Sequence, residues 1–238
     1  MATGFLHHVG TFLLLLSAIL LLITTISAPV INDIGILKVK LTGGAQHGNS
    51  VISFGSFGYC VVDMDAQGTD YCTGKHIGYN PAFVMSGIEP TDFSTASENT
   101  VKALTRVMVL HPIACAVMFV AFLLALGAGV IGSFLASLVS GIAFILALVA
   151  MACDFVLFGI VKNHVNQDGS GSHAYFSVGI WCVLAAMITG FLGAVVVFVT
   201  CLSKRMHEKT SRTSVGGKEY VGGSAPARRR FWQRRNRY

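Results

Sequence analysis

Residues Val107 to Cys153 read VMVLHPIACAVMFVAFLLALGAGVIGSFLASLVSGIAFILALVAMAC, 47 consecutive positions without Lys, Arg, Asp or Glu. A soluble helix of that length needs a polar face, whereas about 20 apolar residues suffice to cross a bilayer. The run is long enough to cross, turn and return, and its middle carries Gly127, Gly129, Gly132 and Ser133. We read it as a transmembrane hairpin turning at Gly132-Ser133, with spans at about 107–131 and 134–161.

Working outward, apolar windows at about Val9 to Ala28 and about Tyr175 to Leu202 bring the spans to four. Composition agrees: 53% of the 238 residues are hydrophobic, 12% are charged and mean hydropathy is +0.67, against about 25% charged residues in soluble domains. Val9 to Ala28 has a second reading as a signal peptide cut after Thr25-Ile26-Ser27. Its length and the lack of basic residues before it favour an uncleaved span.

The net charge of +6 is unevenly placed. Residues 203–238 hold eleven basic residues against Glu208 and Glu219, a net +9, so the remainder carries −3. Basic residues beside spans stay cytoplasmic. This predicts both termini inside and residues 29–106 and 162–174 outside. The division is a four-span domain over 1–202 and a basic cytoplasmic tail, expected to be disordered, over 203–238.

In the outer region the pattern changes to period two. Ile36, Val39 and Leu41 alternate with Lys38, Lys40 and Thr42, and Ser50 to Val62 is rich in β-branched and aromatic residues. A small extracellular antiparallel sheet is expected. Cys60 and Cys72 are the two cysteines outside the spans. An extracytoplasmic pair is expected to form a disulfide, and closing a loop of about a dozen residues is worth roughly 3 kcal/mol. Free thiols, or a zinc site with His76, are the alternatives; zinc lacks a fourth ligand. Asp63, Asp65 and Asp70 fit no calcium-loop spacing and read as a solvated turn.

Phe54-Gly55-Ser56-Phe57-Gly58-Tyr59-Cys60, then Cys72, Ile77-Gly78-Tyr79-Asn80, and Leu110-His111-Pro112-Ile113-Ala114 together resemble the fungal PalI family. These are pH-response membrane proteins related to the four-span proteins of eisosomes and more remotely to claudins. The resemblance covers about Met1 to Leu202 and rests on Gly55, Gly58, Tyr59, Cys60, Cys72, His111 and Pro112. It implies a claudin-like membrane all-α four-helix transmembrane bundle. It also implies a plasma-membrane accessory role beside a seven-span sensor of ambient alkaline pH.

His111 and Asp154 are the ionisable side chains, cysteines aside, that this reading places inside the hairpin. Their midpoint falls on Gly132-Ser133, so antiparallel spans would hold them at one depth. An acidic group in hydrocarbon costs about 2.5 to 3.5 kcal/mol on insertion scales and faces a partner. A His111–Asp154 contact in the outer leaflet is therefore expected, and imidazole titration would make it pH-responsive. The bland reading leaves His111 at the interface and Asp154 neutral or bonded to a carbonyl.

Gly127-Ala128-Gly129-Val130-Ile131-Gly132 spells a dinucleotide fingerprint by chance, since no strand precedes it. Small residues recur along Ala125, Gly129, Ser133, Ser137 and Gly141, and along Ala186, Gly190 and Ala194. They are expected to let helices approach within the bundle, or in a homo-oligomer. Residues 162–174 read as a simple connector, and Trp181 as part of an aromatic belt. Cys201 beside Lys204 and Arg205 is a palmitoylation candidate or a plain apolar cysteine. The tail residues Arg228, Arg229, Arg230, Phe231, Trp232, Arg234, Arg235 and Arg237 point to anionic inner-leaflet lipids rather than nucleic acid. An ER-retention address, a partner site or a solvated charge run are the other readings of that tail. The residues suggest no catalytic site, metal site or cofactor. A scaffold or accessory subunit for another membrane protein is the first expectation, an eisosome-like organiser of the cell cortex and cell wall the second, and a channel or transporter the third.

Overall fold

A computed structural model describes residues 2–42, 50–63, 69–88, 93–127 and 130–216. The four long helices are α1 (Ala2–Thr25), α4 (Leu110–Leu126), α5 (Val130–Gln167) and α6 (Val178–Gly216). Among the described residues, the segments Phe5–Thr25, Thr95–Leu126, Gly132–Gln167 and Val178–Ser203 are long and apolar enough to cross a membrane. Each helix packs on two neighbours in the cyclic order α1, α4, α5, α6, and neighbours run antiparallel.

The buried positions repeat at three- and four-residue steps. They are His111, Ala114, Met118, Ala121 and Ala125 on α4, and Ala136, Ser140, Ala143, Ala147, Ala150, Asp154, Leu157 and Val161 on α5. That spacing is the seam of a left-handed bundle. The outward faces stay apolar, with Phe12, Phe119, Ile142, Ile145, Phe191 and Val199 exposed. An all-round hydrophobic helix is stable only when lipid or protein surrounds it.

Between α1 and α4 lies a cap built on β1 (Leu37–Lys40), β2 (Val51–Phe54), β3 (Tyr59–Val62) and β4 (Tyr71–Cys72), with α2 (Pro81–Ile88) and α3 (Thr95–Val107). A fifth strand, β5 (His173–Phe176), precedes α6 and completes an antiparallel sheet of order β4-β3-β2-β1-β5. Asn80 caps α2, its Oδ1 accepting from Phe83 N–H at 3.3 Å, and Pro81 takes the first helical position where its missing N–H costs nothing. Ser94 caps α3 through Ser97 N–H at 3.3 Å.

Several expectations need correction. The hairpin turn lies at Gly127, with α5 already begun at Val130, so Gly132 and Ser133 belong to the first turn of a helix. Residues 162–174 are no simple connector. Helix α5 continues to Gln167, and the following segment supplies β5, which pairs Val39 with Ala174 and Lys40 with His173. The fourth span starts at Val178 rather than Tyr175. Ser50 to Val62 is a hairpin of two strands, and the outer region also contains two helices that the period-two reading passed over.

The small-residue stripes are split. Ala125, Ser133, Ala186 and Gly190 face the interior, whereas Ser137, Gly141 and Ala194 line an open groove between α5 and α6. The tightest contact is between α1 and α6. A Cβ on Gly193 would meet Gly10 O and Leu14 N at 3.1 Å, and one on Gly190 would meet Ser17 Oγ at 2.8 Å. Ser17 Oγ in turn donates to Ala186 O at 2.7 Å.

Candidate functional site

The described interior holds two apolar cores. One joins the sheet to α3 and the far end of α5, through Ile36, Leu37, Ile52, Phe54, Tyr79, Met108, Leu157 and Phe158. The other lies between the long helices, through Leu14, Leu21, Ala114, Met118, Ala143, Ala147 and Ala186. On α4 and α5 the transition falls at one level, and there the buried seams carry His111 and Asp154.

Both side chains are essentially inaccessible, and His111 Nε2 lies 3.0 Å from Asp154 Oδ2. The approach is off the line of a regular hydrogen bond, and neither atom has another hydrogen-bond partner among the described residues. His111 Nδ1 lies 3.1 Å from Met108 O. A carbonyl can only accept, so Nδ1 carries a hydrogen. If His111 is neutral, Nε2 then presents a lone pair to Asp154, and a bare carboxylate facing it would be an unbalanced buried charge. One proton between Nε2 and Oδ2 resolves this, as imidazolium with carboxylate or as imidazole with carboxylic acid. The pair is net neutral in either form.

The symmetry expectation brought these residues together for an incomplete reason. His111 stands 16 residues before Gly127, while Asp154 stands 24 residues after Val130. At 1.5 Å per residue these are about 24 and 36 Å along their helices. Both lengths carry the pair toward the sheet-side ends of the two helices.

The glycine-rich hairpin turn sits on the end of α1. Ser56 N–H donates to Ser27 Oγ at 3.1 Å, and Ser56 Oγ donates to Thr24 O at 2.9 Å, satisfying one carbonyl at the end of α1. Gly55 lies against the Ala28 backbone so closely that any Cβ would collide with it. A Cβ on Gly58 would meet Thr73 Oγ1 at 2.6 Å. Tyr79 Oη donates to Gly55 O at 2.7 Å, and Thr105 Oγ1 donates to Tyr79 O at 2.7 Å. Burial, and then the nearby Asp154 charge, hold the Tyr79 hydroxyl well above its usual 10.0. Burial, with a smaller contribution from Tyr71, raises Tyr59 as well. Both phenols are neutral at physiological pH, and Tyr79 is the one seen donating.

Cys60 and Cys72 face each other across β3 and β4 and are disulfide-bonded, with Cα atoms 4.1 Å apart. This excludes the free-thiol and zinc readings. His76 is exposed and turned to Gly74 O. Asp70 accepts from Asn32 Nδ2 and Asp63 N–H, while Asp65 lies outside the described residues.

A family model described as SUR7/PalI family matches residues 6–193. The chain belongs to the SUR7/PalI family. None of the curated proteins compared matches it. Four apolar helices beneath a small antiparallel sheet make this SUR7/PalI chain a claudin-like, multi-pass membrane protein. The resemblance residues have separate physical duties in this SUR7/PalI fold. Gly55 and Gly58 seat the hairpin turn, Cys60 and Cys72 staple β3 to β4, and His111 on α4 faces Asp154 on α5.

Two further sequence expectations fare differently. Cys201 is buried in the bundle, so its packing fits an apolar cysteine and not one presented for palmitoylation. The arginine-aromatic tail, from Arg228 to Arg237 with Phe231 and Trp232, lies outside the described residues. Sequence reading missed His7 altogether. It is buried on α1, and its Nε2 donates to Ala125 O in the last turn of α4 at 3.1 Å. Its place on the seven-residue seam with Leu14 and Leu21 was the available signal.

Proposed function

We propose that this chain is a non-enzymatic accessory protein of the fungal plasma membrane, assisting a seven-span partner in the response to ambient alkaline pH. The charge of the tail supports a cytoplasmic C-terminus, and with four spans the cap then faces outward. The observation that carries the reading is the buried His111–Asp154 contact at the joint between cap and bundle. Its single proton holds the joint neutral. Loss of that proton at rising pH leaves a buried carboxylate facing a lone pair, which weakens the joint and changes the surface the cap offers to a partner.

The test is a strain whose chromosomal copy carries Asp154→Asn. Expected is a defective alkaline response with normal protein abundance. Normal growth at alkaline pH, with the sensor correctly localised, overturns the proposed role. The family description joins this branch to a second one, which favours the alternative of a cortical membrane-domain organiser. Punctate, immobile surface fluorescence with an intact alkaline response would select that alternative.

A further inference from the structure

An apolar cleft of about 350 Å³ opens on the membrane-facing side between α1 and α4. Ala18 and Cys115 lie deepest, and Leu15, Ile19, Leu22 and Phe119 form the rims. Its polar atoms are already committed: Cys115 Sγ donates to Ala18 O at 3.4 Å, and Thr25 Oγ1 donates to Leu21 O at 2.8 Å. The cleft therefore offers an occupant shape and apolar contact, with no hydrogen bond.

The length of the cleft selects the occupant. It runs from Leu15 to Thr25 on α1 and from Pro112 to Phe119 on α4. These are about 15 and 10 Å of helix, close to the roughly 15 Å depth of one leaflet. Toward the tail end the same two helices are tied together where His7 Nε2 donates to Ala125 O. A partner helix would have to follow the full bilayer thickness, whereas one lipid tail fits a half-depth cleft open beneath the cap.

We propose that this cleft binds one fatty acyl chain of a phospholipid in the sheet-side leaflet. The bound chain fills the space between α1 and α4 immediately below the His111 joint, so it contributes to the packing that holds the cap.

The experiment places the full chain in phospholipid nanodiscs containing a phospholipid with a mid-chain photoactivatable group, and maps the labelled peptides. Label concentrated on residues 15–25 and 112–119 is expected. Ala116→Trp, on the cleft wall, should lower it about tenfold, the loss of roughly two buried methylenes' worth of contact. Val120→Trp, exposed on α4 but off the cleft, should leave it unchanged. Label spread evenly over the lipid-facing helices, or equal in Ala116→Trp and wild type, overturns the proposal. So does competition by a sterol but not by phospholipid. Oxidative cross-linking of two chains through Cys115 would show a second copy in the cleft, and would overturn it equally.

Discussion

At the scale of single residues, the His111–Asp154 contact has the largest predicted effects. Removing one partner of a buried pair leaves the other uncompensated, which costs about 3–5 kcal/mol. His111→Ala and Asp154→Ala should each lower thermal stability by that order, and the double substitution should cost clearly less than the sum. Asp154→Asn differs, because its amide can donate to Nε2 of a neutral His111. It should change stability by less than about 1.5 kcal/mol while removing the pH dependence that the shared proton confers. Melting temperatures in nanodiscs, taken across neutral and alkaline pH, check both statements. Tyr79→Phe deletes the donor to Gly55 O and should cost about 1–3 kcal/mol, since a buried acceptor is left bare. With its hydroxyl raised above 10.0, Tyr79 binds its proton more tightly folded than unfolded. Its contribution is therefore complete at neutral pH and declines only as alkalinity passes the ordinary tyrosine range.

At the scale of elements, what matters is how closely backbones approach. Gly55→Ala drives a methyl into Ala28 and should detach the hairpin turn from α1, by about 1–3 kcal/mol of overpacking. Gly193→Val should similarly separate α6 from α1. Gly141→Val, where a Cβ meets nothing within 4 Å, should be nearly neutral. Thermal unfolding of the pair decides whether the tight helix contact lies at Gly193 or along the Ser137-Gly141 stripe. This contrast was only half legible beforehand. Four-residue spacing of small residues appears on packed and exposed helix faces alike, and only partner backbones distinguish them. The three-four spacing of His111 with Ala114 and Met118, and of Asp154 with Ala150 and Leu157, was the sharper signal, because it puts both polar residues on the buried seams.

At the scale of the whole molecule, hydropathy was enough for the four spans, and the Cys60, Cys72 pair for the staple. What escaped was long-range or masked by stronger patterns. His173 to Phe176 became a strand because β1 needs a partner on its open edge, a demand absent from local periodicity. Helix α3, with its Ser94 cap and its Val101, Leu104, Met108 spacing, went unread because it lies in a region whose alternation suggested sheet. The turn was misplaced because Gly127, Gly129 and Gly132 are equivalent to composition, and only Gly127 ends α4.

The two cores meet at one buried pair, so the cap's grip on the bundle should depend on one proton. The direct measurement is hydrogen exchange of β1 to β3 in nanodiscs from about pH 6 to about pH 9, a range that includes the ordinary imidazole pKa. After correction for intrinsic exchange, protection should fall with rising pH in the wild-type chain and stay level in Asp154→Asn. The same fall in both would contradict the account.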